Sequence, residues 1–327
     1  MMVKISDVAE LAQVSVTTVS RVINNYGPIS EKTRKKVFSA MKTLNYQPNA
    51  LARSLQGKKT KLIGIIFPGV SHPLFGELVQ SLENQLFKRG YRVILCNSAN
   101  NAKKEREYLK MLSANQVDGI ITGTHNLEIE EYNRVDLPII SFDRYLSDEV
   151  PIVSSDNYTG GYQGTRLLLN SGARSITMIT GSNQPKSPTT ARAEGYVQAL
   201  REAGLKEKVL EFPFYMSASS KSMQIKNLLM GDCPDAIFCS DDLTALLVLQ
   251  HARKLKIRVP EDLKLLGYDG TQLIQSYHPE LATVVQPISD IAQLMIELLI
   301  RKINTRDEKL QAQYLLPIKI INGSTIF

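Results

Sequence analysis

The chain has 327 residues, 43% of them hydrophobic and 22% charged, with 39 Lys/Arg against 32 Asp/Glu. That length carries two or three domains with real cores, and no run of about 18 apolar residues offers a transmembrane helix. Cys96, Cys233 and Cys239 are odd in number and make no CxxC pair, so they read as small apolar residues in a reducing compartment.

The first residues already read as part of a folded motif, so no export signal is expected there. Val8, Leu11 and Ala12 recur at helical spacing and make one apolar face. Gln13-Val14-Ser15 interrupts that face. Ser15 then caps a second helix, its hydroxyl accepting a backbone N–H near Thr17 or Thr18. In that helix Val19, Val22 and Ile23 point inward. Val16, Thr17, Ser20 and Arg21 point out near the helix start, where a recognition helix meets base edges in the major groove. Asn24-Asn25-Tyr26-Gly27-Pro28 is rich in turn residues. Ser30 caps a third helix with Val37, Ala40, Met41 and Leu44 on its inner face, and Asn45 is a left-handed stop. Residues 1–46 therefore read as a small all-α helix-turn-helix domain.

Residues 47–60 follow as a hinge or linker. Pro48 opens and Gly57 closes a stretch long enough for about two turns of helix, too short to hold alone. Through Thr60 the chain carries ten Lys/Arg, and its only acids there are Asp7, Glu10 and Glu31. The whole net charge of +7 thus sits on the first 60 residues, and the remainder is neutral. A basic head on a neutral body suits a polyanion, whose phosphates supply most of the affinity.

From Lys61 short apolar runs alternate with amphipathic helical stretches. Strands are predicted at 62–67, 92–97, 119–122, 139–143, 152–155, 176–180, 209–213, 236–240, 264–268 and 283–286. Helices are predicted at 75–88, 103–115, 158–170, 191–203, 219–230, 242–255 and 290–303. Such alternation means parallel sheets with helices on both faces. Ten strands exceed an ordinary open sheet, so two doubly wound lobes are expected. Ligands bind at the carboxyl ends of such strands, and two facing lobes make a cleft for a small molecule.

Enzymatic and metal chemistry find little support in the sequence. There is no GxxxxGK[ST] loop and no GxSxG elbow, and His72, His125, His251 and His278 form no HExxH or other metal spacing. No cofactor and no metal is expected.

Asp7-Val8-Ala9, Val14-Ser15, Thr18-Val19-Ser20-Arg21-Val22, Pro48-Asn49, Ala52-Arg53-Ser54-Leu55 and Gly267-Tyr268-Asp269 resemble the LacI/GalR family of bacterial transcriptional regulators. The resemblance covers essentially the whole chain. Ser154-Ser155-Asp156-Asn157 and Gly267-Tyr268-Asp269-Gly270-Thr271 are most similar to the sucrose-operon members of that family. The family implies a DNA head, a hinge helix over 47–60, and a core over 61–327 like periplasmic sugar-binding proteins. Its lobes are discontinuous, with three crossovers near Asn157, Gln286 and Pro317. An N-lobe of 61–157 and 287–316 and a C-lobe of 158–286 and 317–327 follow.

The same resemblance implies DNA contacts from Ser15, Val16, Thr17, Ser20, Arg21, Asn24, Tyr46, Asn49, Ala52, Arg53 and Leu55. It implies effector contacts from Phe75, Asp143, Arg144, Arg192, Asp241 and Asp269. That set suits a polyol: carboxylates accept from paired hydroxyls, an Arg fork donates in a plane, and an aromatic face covers a sugar ring. One departure is Gln13, where relatives usually carry Gly; a left-handed backbone there would strain Gln by about 1 kcal/mol.

The expectation is a cytoplasmic, homodimeric repressor of a carbohydrate-utilisation operon. Operator DNA and a sugar or sugar phosphate are its partners, and no membrane is involved. Two alternatives stay open: a global carbon-catabolite regulator working with a protein corepressor, and a sugar-binding transport protein. A third, a sugar-converting enzyme, would need an acid/base pair with perturbed pKa values, which a sequence does not display.

Overall fold

The computed structural model describes residues 3–47, 59–124, 131–134, 136–181, 189–213 and 216–327. The chain divides into two units, Met1–Thr60 and Lys61–Phe327.

The first unit holds three helices, α1 (Ile5–Ala12), α2 (Val16–Ile23) and α3 (Glu31–Thr43). Val8, Ala9, Ala12, Val19, Val22, Val37 and Ala40 form its core. Leu11 does not join them: the inward phase of α1 runs through Val8, Ala9 and Ala12, which leaves Leu11 49% exposed. Ile23, Met41 and Leu44 close the core from its edge, half-buried. The caps are local and form as the sequence predicts. Ser15 Oγ accepts from Thr18 N at 3.1 Å and Ser30 Oγ from Thr33 N at 3.2 Å. Gln13 ends α1 in the left-handed region at φ 55°, and Asn45 follows α3 at φ 47°.

The second unit is built from two six-stranded sheets. The first contains β1 (Leu62–Phe67), β2 (Arg92–Asn97), β3 (Gly119–Thr122), β4 (Ile139–Phe142), β5 (Ile152–Ser155) and β11 (Gln313–Leu316), in the order β11-β5-β4-β3-β1-β2. The second contains β6 (Ile176–Thr180), β7 (Lys208–Glu211), β8 (Ala236–Cys239), β9 (Lys264–Asp269), β10 (Ala282–Val285) and β12 (Lys319–Ile321), in the order β12-β10-β9-β8-β6-β7. All pairings are parallel except β10 with β12, so the second sheet departs from the all-parallel expectation at one edge. Both β11 and β12 escape the strand pattern of the sequence, because they are short edge strands with exposed residues alternating along them.

Helices cover both faces of each sheet. In the first lobe α4 (Pro73–Lys88) and α12 (Ile288–Asn304) pack Leu78, Leu82, Ile291 and Leu299 on one face, and α5 (Ala102–Ala114) packs Leu109 and Leu112 on the other. A short helix, α6 (Glu131–Arg134), follows β3. In the second lobe α7 (Asn157–Asn170) and α8 (Thr190–Glu202) lie on one face. There α9 (Ala218–Met230) and α10 (Asp242–Lys254) lie on the other, and α11 (Gln272–Tyr277) follows β9. Burial on both faces explains the near-continuous apolar runs such as Leu62–Phe67. Each fully buried Leu or Ile contributes about 1.5–3 kcal/mol. The chain passes between the sheets after β5, after β10 and between β11 and β12. Ser155 and Gln286, at the first two crossings, are joined side chain to side chain.

Candidate functional site

In the helical unit, α2 presents Val16, Thr17 and Arg21 outward; Val16 is 44% exposed. Ser15, although exposed, uses its hydroxyl on the cap and on Thr18 Oγ1 at 2.9 Å. Ser20 and Asn24 are half-buried and bonded to each other, Asn24 Nδ2 donating to Ser20 O at 2.7 Å and to Ser20 Oγ at 3.3 Å. Tyr46 leans on the core of this unit, and burial pushes its phenol up. Asn49, Ala52, Arg53 and Leu55 lie outside the described residues.

In the two-lobed unit the nominated residues stand at the carboxyl ends of strands. Phe75 is in the first turn of α4, after β1, with its ring 5.6 Å from Phe67. Asp143 follows β4 with φ 54°, a backbone conformation that turns it out of the strand line. Asp241 follows β8, and Asp269 ends β9 at φ 108°. Arg192 comes from the first turn of α8.

Asp143 and Arg192 face each other from opposite lobes, Nη2 to Oδ2 at 3.7 Å, both almost fully buried. Asn157 ties them: its Nδ2 donates to Asp143 Oδ1 at 2.9 Å, and its Oδ1 accepts from Arg192 Nε at 2.6 Å. Arg192 Nη1 donates to Ser240 O at 2.8 Å, and the guanidinium lies 3.7 Å above the Tyr268 ring. Gln286 Nε2 donates to Asp269 Oδ1 at 2.7 Å, while its Oε1 accepts from Ser155 Oγ at 2.9 Å. Arg144, half-buried, donates from Nη1 to Thr189 Oγ1 of the other lobe at 3.0 Å and to the Asp143 carbonyl at 2.7 Å. Asp241 caps α10 by accepting from Thr244 N at 2.7 Å and Thr244 Oγ1 at 2.8 Å. A cap is thus one role this side chain performs.

Burial sets the electrostatics. It raises the Asp143 carboxyl above its ordinary value, and Arg192, Arg144 and Asn157 pull the other way. Burial likewise holds Asp269 well above the usual carboxylate range, with Arg192 opposing and Asp242 adding. The Arg192 guanidinium ends above its ordinary value: burial disfavours its charge, but Tyr268, Asp143 and Asp269 outweigh that. A site of this kind offers carboxylates, a buried planar cation and an aromatic wall to one ligand.

Close backbone packing holds Arg192 in place. A Cβ on Gly161 would run into the Arg192 carbonyl, and one on Gly195 into the Tyr158 carbonyl, so glycines let α7 and α8 touch. Sequence reasoning missed Asn157, Gln286, Ser155, Thr189 and Tyr268 as members of this network. Ser155, Asn157 and Tyr268 stand in the motifs that carry the resemblance, and Asn157 and Gln286 at the expected crossovers, but neither signal points to a place in this network. Among the described residues no cluster of His, Cys, Asp and Glu could hold a metal ion. No described helix is long and apolar enough to cross a membrane.

Comparison with known proteins accords with this geometry. Residues 4–49 match the profile of bacterial regulatory proteins of the lacI family, and residues 165–326 match the periplasmic binding protein-like domain. The sucrose operon repressor of Pediococcus pentosaceus is 55% identical over 322 residues, covering 98% of this chain and 99% of that protein. The sucrose operon repressor of Streptococcus mutans serotype c is 49% identical over 326 residues, covering all of both. Among solved structures, a Lac repressor dimer bound to operator and the anti-inducer ONPF superimposes with a TM-score of 0.85 at 26% identity, covering both chains completely. The complex of the transcriptional regulator CelR with cellobiose gives 0.72 at 27% identity, covering 99% of each chain.

Proposed function

The chain belongs to the lacI family of bacterial regulatory proteins, and from that premise we propose that it represses a sucrose-utilisation operon and leaves its operator when a sugar enters the core. It is a DNA-binding transcriptional repressor with a two-lobed core of the periplasmic-binding type. The division is a DNA head over 1–46, a hinge over 47–60 and a core over 61–327. The protein works in the cytoplasm as a homodimer on a near-palindromic operator, since a two-fold dimer reads two equivalent half-sites.

The observation that carries this reading is the Asp143–Arg192 pair, which joins the two lobes through Asn157. A ligand touching both residues prefers one lobe arrangement over the other. It can therefore change DNA affinity without touching DNA. Phe75, Arg144, Asp241 and Asp269 complete the contact set. In the head, Arg21 reads a guanine with two donors, and Val16 and Thr17 set neighbouring bases. A sugar that holds the lobes in one arrangement releases the operator with no contact between sugar and DNA.

Operator titration by fluorescence anisotropy, with DNA from upstream of the operon and with sucrose, fructose, glucose or their phosphates, tests this. Release by one sugar, with operator affinity falling about 5- to 150-fold, is the expected outcome. Tightening by sugar would reverse the sign of control, and indifference to all of them would remove sugar control.

A further inference from the structure

We propose that Asp242 is a positioning residue of the effector site, holding the turn that ends β9 so that the Asp269 carboxyl meets the ligand. The inference rests on the sugar-controlled reading above and adds a residue that acts through Asp269 without touching the ligand.

Asp269 leaves β9 in an uncommon conformation. Its φ is 108°, a region that residues with a side chain rarely adopt and that persists only where the surroundings over-determine it. Gly270 follows at φ 57°, and a Cβ there would press on Val285 of β10. The turn is thus packed against the neighbouring strand and set by what it bonds to. Two side chains hold it. Gln286 Nε2 donates to Asp269 Oδ1 at 2.7 Å. Asp242 Oδ2 accepts from the N–H of the very next residue, Gly270, at 2.8 Å.

Asp242 is itself fixed from the other side. Thr283 Oγ1, on β10, donates to its Oδ1 at 2.6 Å. A Cβ on Gly267 would run into that same oxygen, so β9 leaves room for the carboxylate. One side chain therefore ties the first turn of α10 to the end of β9 and to β10. Its chain neighbour Asp241 caps the same helix. Burying a carboxylate is costly, and among the described residues no Lys or Arg offsets this one. A well-packed apolar residue would serve the core better. What the carboxylate supplies instead is an acceptor for Gly270 N, and through it a fixed direction for the Asp269 side chain.

The test is calorimetric titration of the full-length protein with sucrose, fructose, glucose and their phosphates, using wild type, Asp242→Ala, Asp242→Asn and Thr283→Val, each first checked for wild-type operator binding without sugar. For the sugar that binds, Asp242→Ala should lose about tenfold in affinity, the worth of one bond to a charged group. Asp242→Asn should stay within about threefold of wild type, because its amide oxygen still accepts from Gly270 N. Thr283→Val should lose about threefold, since Asp242 then lacks the donor that fixes it while Gly270 and Asp269 are untouched. An Asp242→Ala protein that binds sugar as tightly as wild type would overturn the assignment. So would an Asp242→Asn protein as weak as Asp242→Ala, because the held turn predicts rescue by any side chain that keeps the acceptor. If Asp242→Ala does not fold well enough to bind operator, Thr283→Val decides, and an unchanged sugar affinity there overturns the assignment. A wild type that binds none of these sugars would instead overturn sugar control itself, and this inference with it.

Discussion

Replacing Asp242 by Asn should stabilise the core, and by more at pH 8 than at pH 5. Asp242 is 1% exposed; its Oδ1 accepts from Thr283 Oγ1 at 2.6 Å and its Oδ2 from Gly270 N at 2.8 Å. Burial pushes its carboxyl from 3.8 up to about 7, only partly opposed by those two bonds. A raised carboxyl means that the folded protein holds its proton while the unfolded chain has already lost it. Stability therefore falls as pH rises from the unfolded value toward the folded one, and stays low above it. Each pH unit in that window is about 1.4 kcal/mol. Between pH 5 and 7 the wild type should lose about 2–3 kcal/mol through this group. An Asn keeps the geometry, its oxygen accepting from Gly270 N and its amide donating to Thr283 Oγ1, and does not titrate. Urea or thermal unfolding of both proteins between pH 5 and 8 checks this. The gap should widen by about 2–3 kcal/mol, or about 4–12 °C in Tm for a unit of this size, and level off above pH 7. Parallel stability curves across that range would refute the reasoning.

Three further predictions concern the two sites. Arg21→Ala should lose about 1–3 kcal/mol at one base pair of each half-site and relax sequence preference there; operator titration with single-base variants reads this directly. Arg192→Met should abolish the response to sugar while retaining operator binding. It should also lower core stability by about 3–5 kcal/mol, because Asp143 then loses the cation that offsets its burial; unfolding and anisotropy measure the two effects separately. Gln13→Gly should stabilise the head by about 0.5–1 kcal/mol, since Gln13 holds φ 55°; slower amide exchange in α1 and α2 would show it.

What could be read without a structure was whatever depends on neighbours in the chain. Ser15 and Ser30 bond to N–H groups three residues on, so their caps are written locally. Apolar runs such as Leu62–Phe67 and Ile176–Thr180 announce strands buried on both faces. The polar outer face of α2 and the concentration of positive charge in the first 60 residues identify a DNA-reading head without reference to the rest. Tertiary structure alone decided what depends on distant partners. Leu11 and Ala9 fit a helical face equally well in one dimension, and packing against α2 and α3 chose Ala9. Short edge strands β11 and β12 carry no alternation strong enough to announce them. The network around Arg192 joins residues from both lobes: Ser155 and Gln286 are 131 positions apart, and Asn157 meets Tyr268 across 111. A buried polar side chain takes its role from the partner the fold brings to it, and no spacing in the sequence records that partner.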